Sequence, residues 1–224
     1  LGLMYDHGHG VDVNYEKAHE WYEKASKQGH SDAHYNLGLM YYNPRVAESV
    51  DQNDESEEEK EQQKNMAMKF YKMAAEQGHP DAQYNLGLMY FKMGSDDDSN
   101  NDDNNNNHDN NNNKKEEKKN SFNENLVEAV KWVELAADKG HVDAEGTMGE
   151  MYLRGKGVPQ SDDLAAEWLR KAADKGHAWS LRTLSQLYKK KGNIREANSL
   201  SRRAAEAGNA HSIIKRPTII KRPT

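Results

Sequence analysis

A chain of 224 residues with a formal net charge of −6, 35% hydrophobic residues and a mean hydropathy of −1.14 is too polar for one large apolar core. No apolar run approaches the roughly 20 residues a membrane helix needs, so no membrane span is expected within the chain. Without cysteine there are no disulfides, no thiolate nucleophile and no Cys-based zinc site.

The charge is unevenly placed. The stretch 43–65 holds eight acidic and three basic residues, and 96–119 eight acidic and four basic. The last ten residues add Lys215, Arg216, Lys221 and Arg222. The remaining body is near neutral and no basic stripe follows successive segments, so nucleic-acid binding is not expected. No Asn-X-Ser/Thr acceptor occurs, which leans towards a cytoplasmic setting and leaves the endoplasmic reticulum open.

In chain order, two phrases alternate. The first stands at Leu1–Tyr5, Ala33–Tyr41, Ala82–Tyr90, Ala144–Tyr152 and Ser180–Tyr188. The second ends at Gly29, Gly78, Gly140, Gly176 and Gly208, and His30, His79, His141 and His177 follow the first four. Four steps from that Gly to the next Leu or Met (Gly29 to Leu37, Gly78 to Leu86, Gly140 to Met148, Gly176 to Leu184) are eight residues each. A junction that accepts no insertion is one where a helix must pack on the next. All length variation falls in the loop inside each repeat. The expected repeats are 1–32, 33–81, 82–143, 144–179 and 180–212.

Each repeat reads as a helical hairpin. Ala33, Leu37, Met40 and Tyr41 make a one-faced stripe in the first helix. The second-helix stripe reads Ala18, Trp21, Tyr22, Ala25, then Met66, Lys69/Phe70, Ala74 in the second repeat. It continues as Ala129, Trp132/Val133, Ala136 and as Ala165, Trp168/Leu169, Ala172. Gly29, Gly78, Gly140 and Gly176 are expected to end those helices in the left-handed conformation, with Asp32, Asp81 and Asp143 capping the next ones. Gly38, mid-helix, costs about 1 kcal/mol against Ala, which implies that a partner helix comes close.

Two inserts interrupt this pattern. The acidic insert 43–65 ends in a Glu/Lys run suited to extending the following helix. The Asp/Asn-rich insert 95–120 is expected to be disordered. The duplicated Ile-Ile-Lys-Arg-Pro-Thr at 213–224 is expected to be an extended basic tail.

The phrases resemble the Sel1-like repeat, a relative of the tetratricopeptide repeat. Met148-Gly-Glu-Met-Tyr152, Gly155-Lys-Gly157-Val158, Ala165-Ala-Glu-Trp168 and Lys171-Ala-Ala-Asp-Lys-Gly176-His177 follow its pattern, as do Leu1-Gly2, Gly8-His-Gly10-Val11 and Ala18-His-Glu-Trp21. The resemblance implies an all-α, right-handed α-solenoid of about five hairpins. It also implies a non-catalytic scaffold or adaptor for a protein or peptide partner. The alternative is the regulatory repeat arm of a larger enzyme or of a ubiquitin-ligase or degradation complex, because the chain opens at Leu1 inside a repeat and its true N-terminus is expected to lie further upstream.

No catalytic, cofactor-binding or metal-binding constellation is expected. The Gly-His histidines occupy equivalent turns roughly 10 Å apart, too far to share an ion, and His7 and His9 would need outside ligands. What remains is the concave wall formed by the first helices. By alignment with the tetratricopeptide pattern it presents Tyr35, Asn36, Leu39 and Tyr42, then Tyr84, Asn85, Leu88 and Phe91. Glu150 and Arg154 follow, then Arg182, Gln186, Lys189 and Lys190. Aromatic anchors beside amides suit an extended peptide or partner helix, and the Lys/Arg end suits an acidic peptide or a solvated cap.

Overall fold

The structure, a computed structural model, describes the backbone of residues 1–43, 56–94 and 111–214, with side chains described for 1–43, 56–94 and 123–208. Among these residues every regular element is a helix. The helices are α1 (Gly2–His7), α2 (Tyr15–Ser26), α3 (Ser31–Tyr42), α4 (Glu57–Glu76), α5 (Pro80–Met93), α6 (Asn111–Asp138), α7 (Val142–Arg154), α8 (Asp162–Asp174), α9 (Ala178–Lys190) and α10 (Ile194–Ile214). They fall into two units, Leu1–Lys139 and Gly140–Thr224. The first holds the hairpins α1–α2, α3–α4 and α5–α6, with α2 packed on α3 and α4 on α5. The second holds α7–α8 and α9–α10, with α8 packed on α9. The fold is that of an all-α solenoid.

Close approach within the hairpin explains the glycines at four equivalent places on the first helices. A Cβ built on Gly2 would lie 2.6 Å from the Tyr22 ring, on Gly38 2.5 Å from Tyr71, on Gly87 2.6 Å from Val133 and on Gly149 2.6 Å from Leu169. Normal carbon contacts are about 3.5–4.0 Å, so only Gly fits. The fifth hairpin solves the same contact differently. Ser185 stands where the others have Gly, and it faces not a large side chain but Ser201, with the two hydroxyl oxygens 2.7 Å apart.

The second-helix face is shifted in one repeat and narrower in another than the sequence pattern predicts. In α4 the buried residues are Ala67, Tyr71, Ala74 and Ala75, not Met66 and Lys69/Phe70. The register is set by counting back from Gly78, as Ala18 and Tyr22 are from Gly29. Trp21 is 37% exposed, with the Lys24 ammonium 4.6 Å from its ring centroid, so it covers α2 from outside.

The turns that join hairpins follow one design. Gly29, Gly78, Gly140 and Gly176 have φ between 82° and 86°, the left-handed region expected of them. The caps differ from expectation. His30, His79, His141 and His177 occupy the N-cap positions, and Asp32, Asp81 and Asp143 sit inside the first turn. The Nδ1 atoms of His79 and His141 accept from the backbone N–H of Ala82 and Ala144, at 3.3 and 3.2 Å. The acidic residues then complement the positive end of the helix. In α9, Ser180 replaces that Ala, and its hydroxyl engages His177 Nδ1 at 2.7 Å instead.

The inserts lengthen second helices. α4 has 20 residues and α6 28, against 12 for α2 and 13 for α8. Ser56 opens α4 through a capping box with Glu59, so 57–65 of the acidic insert are helical; 44–55 lie outside the described residues. The expected disorder over 95–120 is corrected for 111–120, which form the first turns of α6, while 95–110 lie outside the described residues. Lys114–Lys119 consists of good helix formers, and adding turns to an anchored helix avoids the cost of a new nucleus. α10 likewise runs through Gly208 to Ile214, so the expected extended tail does not begin at 213; residues 215–224 lie outside the described residues.

Candidate functional site

Position by position, the eight-residue junction puts Leu3, Leu39 and Leu88 at one equivalent place on α1, α3 and α5. All three are exposed, by 54%, 37% and 37%, although the neighbouring Leu37 and Leu86 are fully buried. Tyr42, three residues beyond Leu39, is 56% exposed. A cavity of 180 Å³ opens beside Leu39, lined by Asp6, His7, Tyr15, Asn36, Met40 and Asn43. The first unit therefore carries a row of exposed leucines with a polar-edged recess at its side.

Other expected wall residues serve the scaffold. The Tyr35 ring stacks on His79 of the next hairpin with centroids 4.5 Å apart, and it lies 6.0 Å from Tyr71. Burial pushes the phenols of Tyr35 and Tyr71 above their ordinary value, and hydrogen bonds with the Asn85 side chain oppose that shift. Asn85 thus belongs to a half-buried polar–aromatic cluster around the buried Tyr71 ring. Asn36 donates from Nδ2 to the Asp32 carbonyl at 2.8 Å. Tyr84 and Phe91 are half-buried on α5.

In the second unit the wall is polar. The places equivalent to Leu39 and Leu88 are Glu150 and Gln186. Arg154 is exposed but paired with Glu150 at 2.8 Å. Lys190 and Lys191 reach Asp162 and Asp163, at 3.0 and 2.6 Å. Arg182 and Lys189 are exposed, with no acidic partner among the described residues. They border a 320 Å³ recess between α9 and α10 whose other lining residues include Ser185, Gln186, Ser201 and Ala204.

One polar position inside the scaffold escaped sequence reading. His34, Gln83 and Glu145, each one residue after the recurrent Ala, are 2%, 3% and 3% exposed. His34 Nε2 donates to the Ser26 carbonyl at 3.1 Å and Gln83 Nε2 to that of Ala75 at 3.1 Å, each satisfying the end of the preceding second helix. The C-cap of the same hairpin's second helix adds a partner: Gln77 donates to His34 Nδ1 at 3.0 Å, and Lys175 to Glu145 at 2.6 Å and to the Gly140 carbonyl at 3.0 Å. The signal was present in the fixed spacing, but three different residue types conceal it.

Helical hairpins stacked through invariant junctions, glycine-tight within each hairpin and bearing exposed side chains on the first helices, define a repeat protein of the solenoid class. The family model for the Sel1 repeat matches residues 1–30, 31–56, 58–79, 80–96, 123–141, 144–177 and 186–209. The chain belongs to the Sel1 repeat family, a family of repeat scaffolds that generally mediate protein interactions.

A Sel1 repeat protein from Oxalobacter formigenes is similar in structure, with a TM-score of 0.65 at 27% identity over 99% of this chain and 79% of that one. A protective antigen of uropathogenic Escherichia coli strains with the same repeat gives a TM-score of 0.43 at 22% identity, over 100% of this chain and 57% of that one. A putative Sel1-like repeat-containing protein of Acanthamoeba polyphaga mimivirus is 49% identical over 43 residues, which is 19% of this chain and 8% of that protein. Among the described residues no helix is long and apolar enough to cross a membrane.

Proposed function

We propose that the chain is a non-catalytic adaptor that holds a polypeptide partner against the first-helix face of the unit Leu1–Lys139. The observation that carries this reading is the leucine row: Leu3, Leu39 and Leu88 are exposed at equivalent places, beside Tyr42, where a purely structural solenoid gains nothing from apolar residues. A partner placing apolar side chains at intervals along an extended strand or helix would cover the row, and the polar-edged recess beside Leu39 would receive its polar groups.

The test is panning of a random dodecapeptide phage library on the full chain and on a Leu39→Asp/Leu88→Asp variant. Both leucines are partly in solvent, so the variant should keep its helical circular-dichroism spectrum. Enriched peptides with spaced apolar anchors that fail to bind the variant are expected. Equal enrichment on both proteins would reject this face as the binding wall.

A further inference from the structure

We infer that the recess between α9 and α10 is a carboxylate-binding site for an acidic peptide, built by the loss of one aromatic ring. The inference rests on the reading of the first-helix face as a binding wall and assigns a ligand chemistry to its second unit. In the hairpin α3–α4, Gly38 faces the Tyr71 ring, whose centroid lies 6.0 Å from that of Tyr35 and 6.4 Å from that of Tyr42. The ring fills the space among those three residues.

Counted from the fixed junctions, the equivalent residues of α9–α10 are Ser185 for Gly38, Ser201 for Tyr71, Arg182 for Tyr35 and Lys189 for Tyr42. Replacing the ring by a serine leaves 320 Å³ open, the low end of the range of about 300–1,000 Å³ typical of ligand pockets. The two flanking tyrosines have at the same time become cations.

The polar floor is ordered. Ser185 Oγ donates to the Ala197 carbonyl at 2.7 Å, so its remaining bond, 2.7 Å to Ser201 Oγ, is one it accepts. Ser201 therefore donates inwards and keeps lone pairs for a peptide N–H. Arg182, Gln186 and Lys189 follow one another along one face of α9 at i, i+4 and i+7, their backbones spanning about 10 Å along the axis, and all three line the recess. Among the described residues no carboxylate lines the recess, whereas Arg154, Lys175, Lys190, Lys191 and Arg203 in the same unit each have an acidic partner. A carboxylate would take the guanidinium fork and the ammonium, and the adjoining main chain would meet Gln186 and Ser201.

Fluorescence polarisation on the full chain tests this with three labelled peptides. In one the only carboxylates are two adjacent Glu side chains and the C-terminus is amidated. In the second the only carboxylate is the free C-terminus. The third is an amidated Gln control. Binding of either of the first two over the control supports the site and tells side-chain from terminal carboxylate. Arg182→Glu/Lys189→Glu should weaken that binding at least tenfold.

Ser185→Gly/Ser201→Leu rebuilds the Gly149–Leu169 pair of the preceding hairpin and should abolish binding with both cations in place. If that variant does not fold, the charge-reversal variant at exposed positions decides. Leu39→Asp/Leu88→Asp should leave the acidic peptide bound, so failure of the leucine row and failure of this site read out separately. Undiminished binding in the charge-reversed protein, no preference over the Gln control, or equal affinity for an oligouridylate of matched charge would each overturn the assignment.

Discussion

Gly38→Ala puts the hairpin design to a direct test. In a solvent-exposed helix the substitution stabilises by about 1 kcal/mol, because Ala loses less backbone freedom on folding. Here the added Cβ would sit 2.5 Å from Tyr71 Cδ1, 2.6 Å from Cε1 and 3.1 Å from Cγ, roughly 1 Å inside normal contact. Tyr71 is 1% exposed and held among Tyr35, Tyr42 and the aliphatic core, so the ring has nowhere to swing and the helices must separate. Overpacking of this kind costs about 1–3 kcal/mol, with a buried ring at the upper end. Net of the propensity gain, a loss of about 1–2 kcal/mol is expected.

Gly208→Ala is the control. That glycine lies within α10 with nothing within 4 Å of its would-be Cβ, and the change should stabilise by about 1 kcal/mol. Urea unfolding followed at 222 nm should therefore move the two midpoints in opposite directions. A Gly38→Ala protein as stable as the parent, with the same urea dependence, would refute the claim that close approach selects glycine. The pair Gly38→Ser/Tyr71→Ser, which copies Ser185 and Ser201 into the second hairpin, should fold, with its loss coming from a cavity rather than a clash.

Two other perturbations address the buried polar groups. Lys175→Met leaves the Glu145 carboxylate, 3% exposed, without the ammonium now 2.6 Å away. With Lys175 itself partly in solvent, a loss of about 2 kcal/mol is expected, below the 3–5 kcal/mol of a fully buried pair. Adding Glu145→Leu should recover most of it, and a double variant no more stable than the single in the same urea assay would contradict the pairing. At high pH, burial holds the phenols of Tyr22, Tyr35, Tyr41 and Tyr71 above their ordinary value of 10.0, reinforced at Tyr22 by Asp6. The unfolded chain ionises these phenols first, so their contribution to stability is complete below about pH 10 and is lost as pH rises beyond it. Thermal melts across that range, with absorbance at 295 nm, should show phenolate appearing with unfolding; phenolate formed while the helical signal stays native would contradict the burial argument.

The sequence by itself determined the repeat. A period read from Gly29, Gly78, Gly140 and Gly176 has a local cause, since a left-handed turn closes each second helix whatever surrounds it. The eight-residue junction does the same for the first helices, and together they identify the hairpins and the family and put the candidate wall residues at equivalent places on the first helices. Tertiary structure decided which of those wall residues are free. Tyr35 and Asn85 pack towards Tyr71, a buried ring on α4 that an insert separates from Tyr35 in the chain, a contact that no local pattern specifies. It also moved the N-cap position from Asp32, Asp81 and Asp143 to the preceding histidines, of which His79 and His141 bond first-turn N–H groups through their rings.

Most consequential is the fifth hairpin. Ser185 and Ser201 are ordinary letters in the chain, 16 residues apart, and the space they leave between Arg182 and Lys189 exists only where α9 meets α10. Periodicity records what every repeat shares, whereas a recess made by one missing ring depends on what faces it across the hairpin.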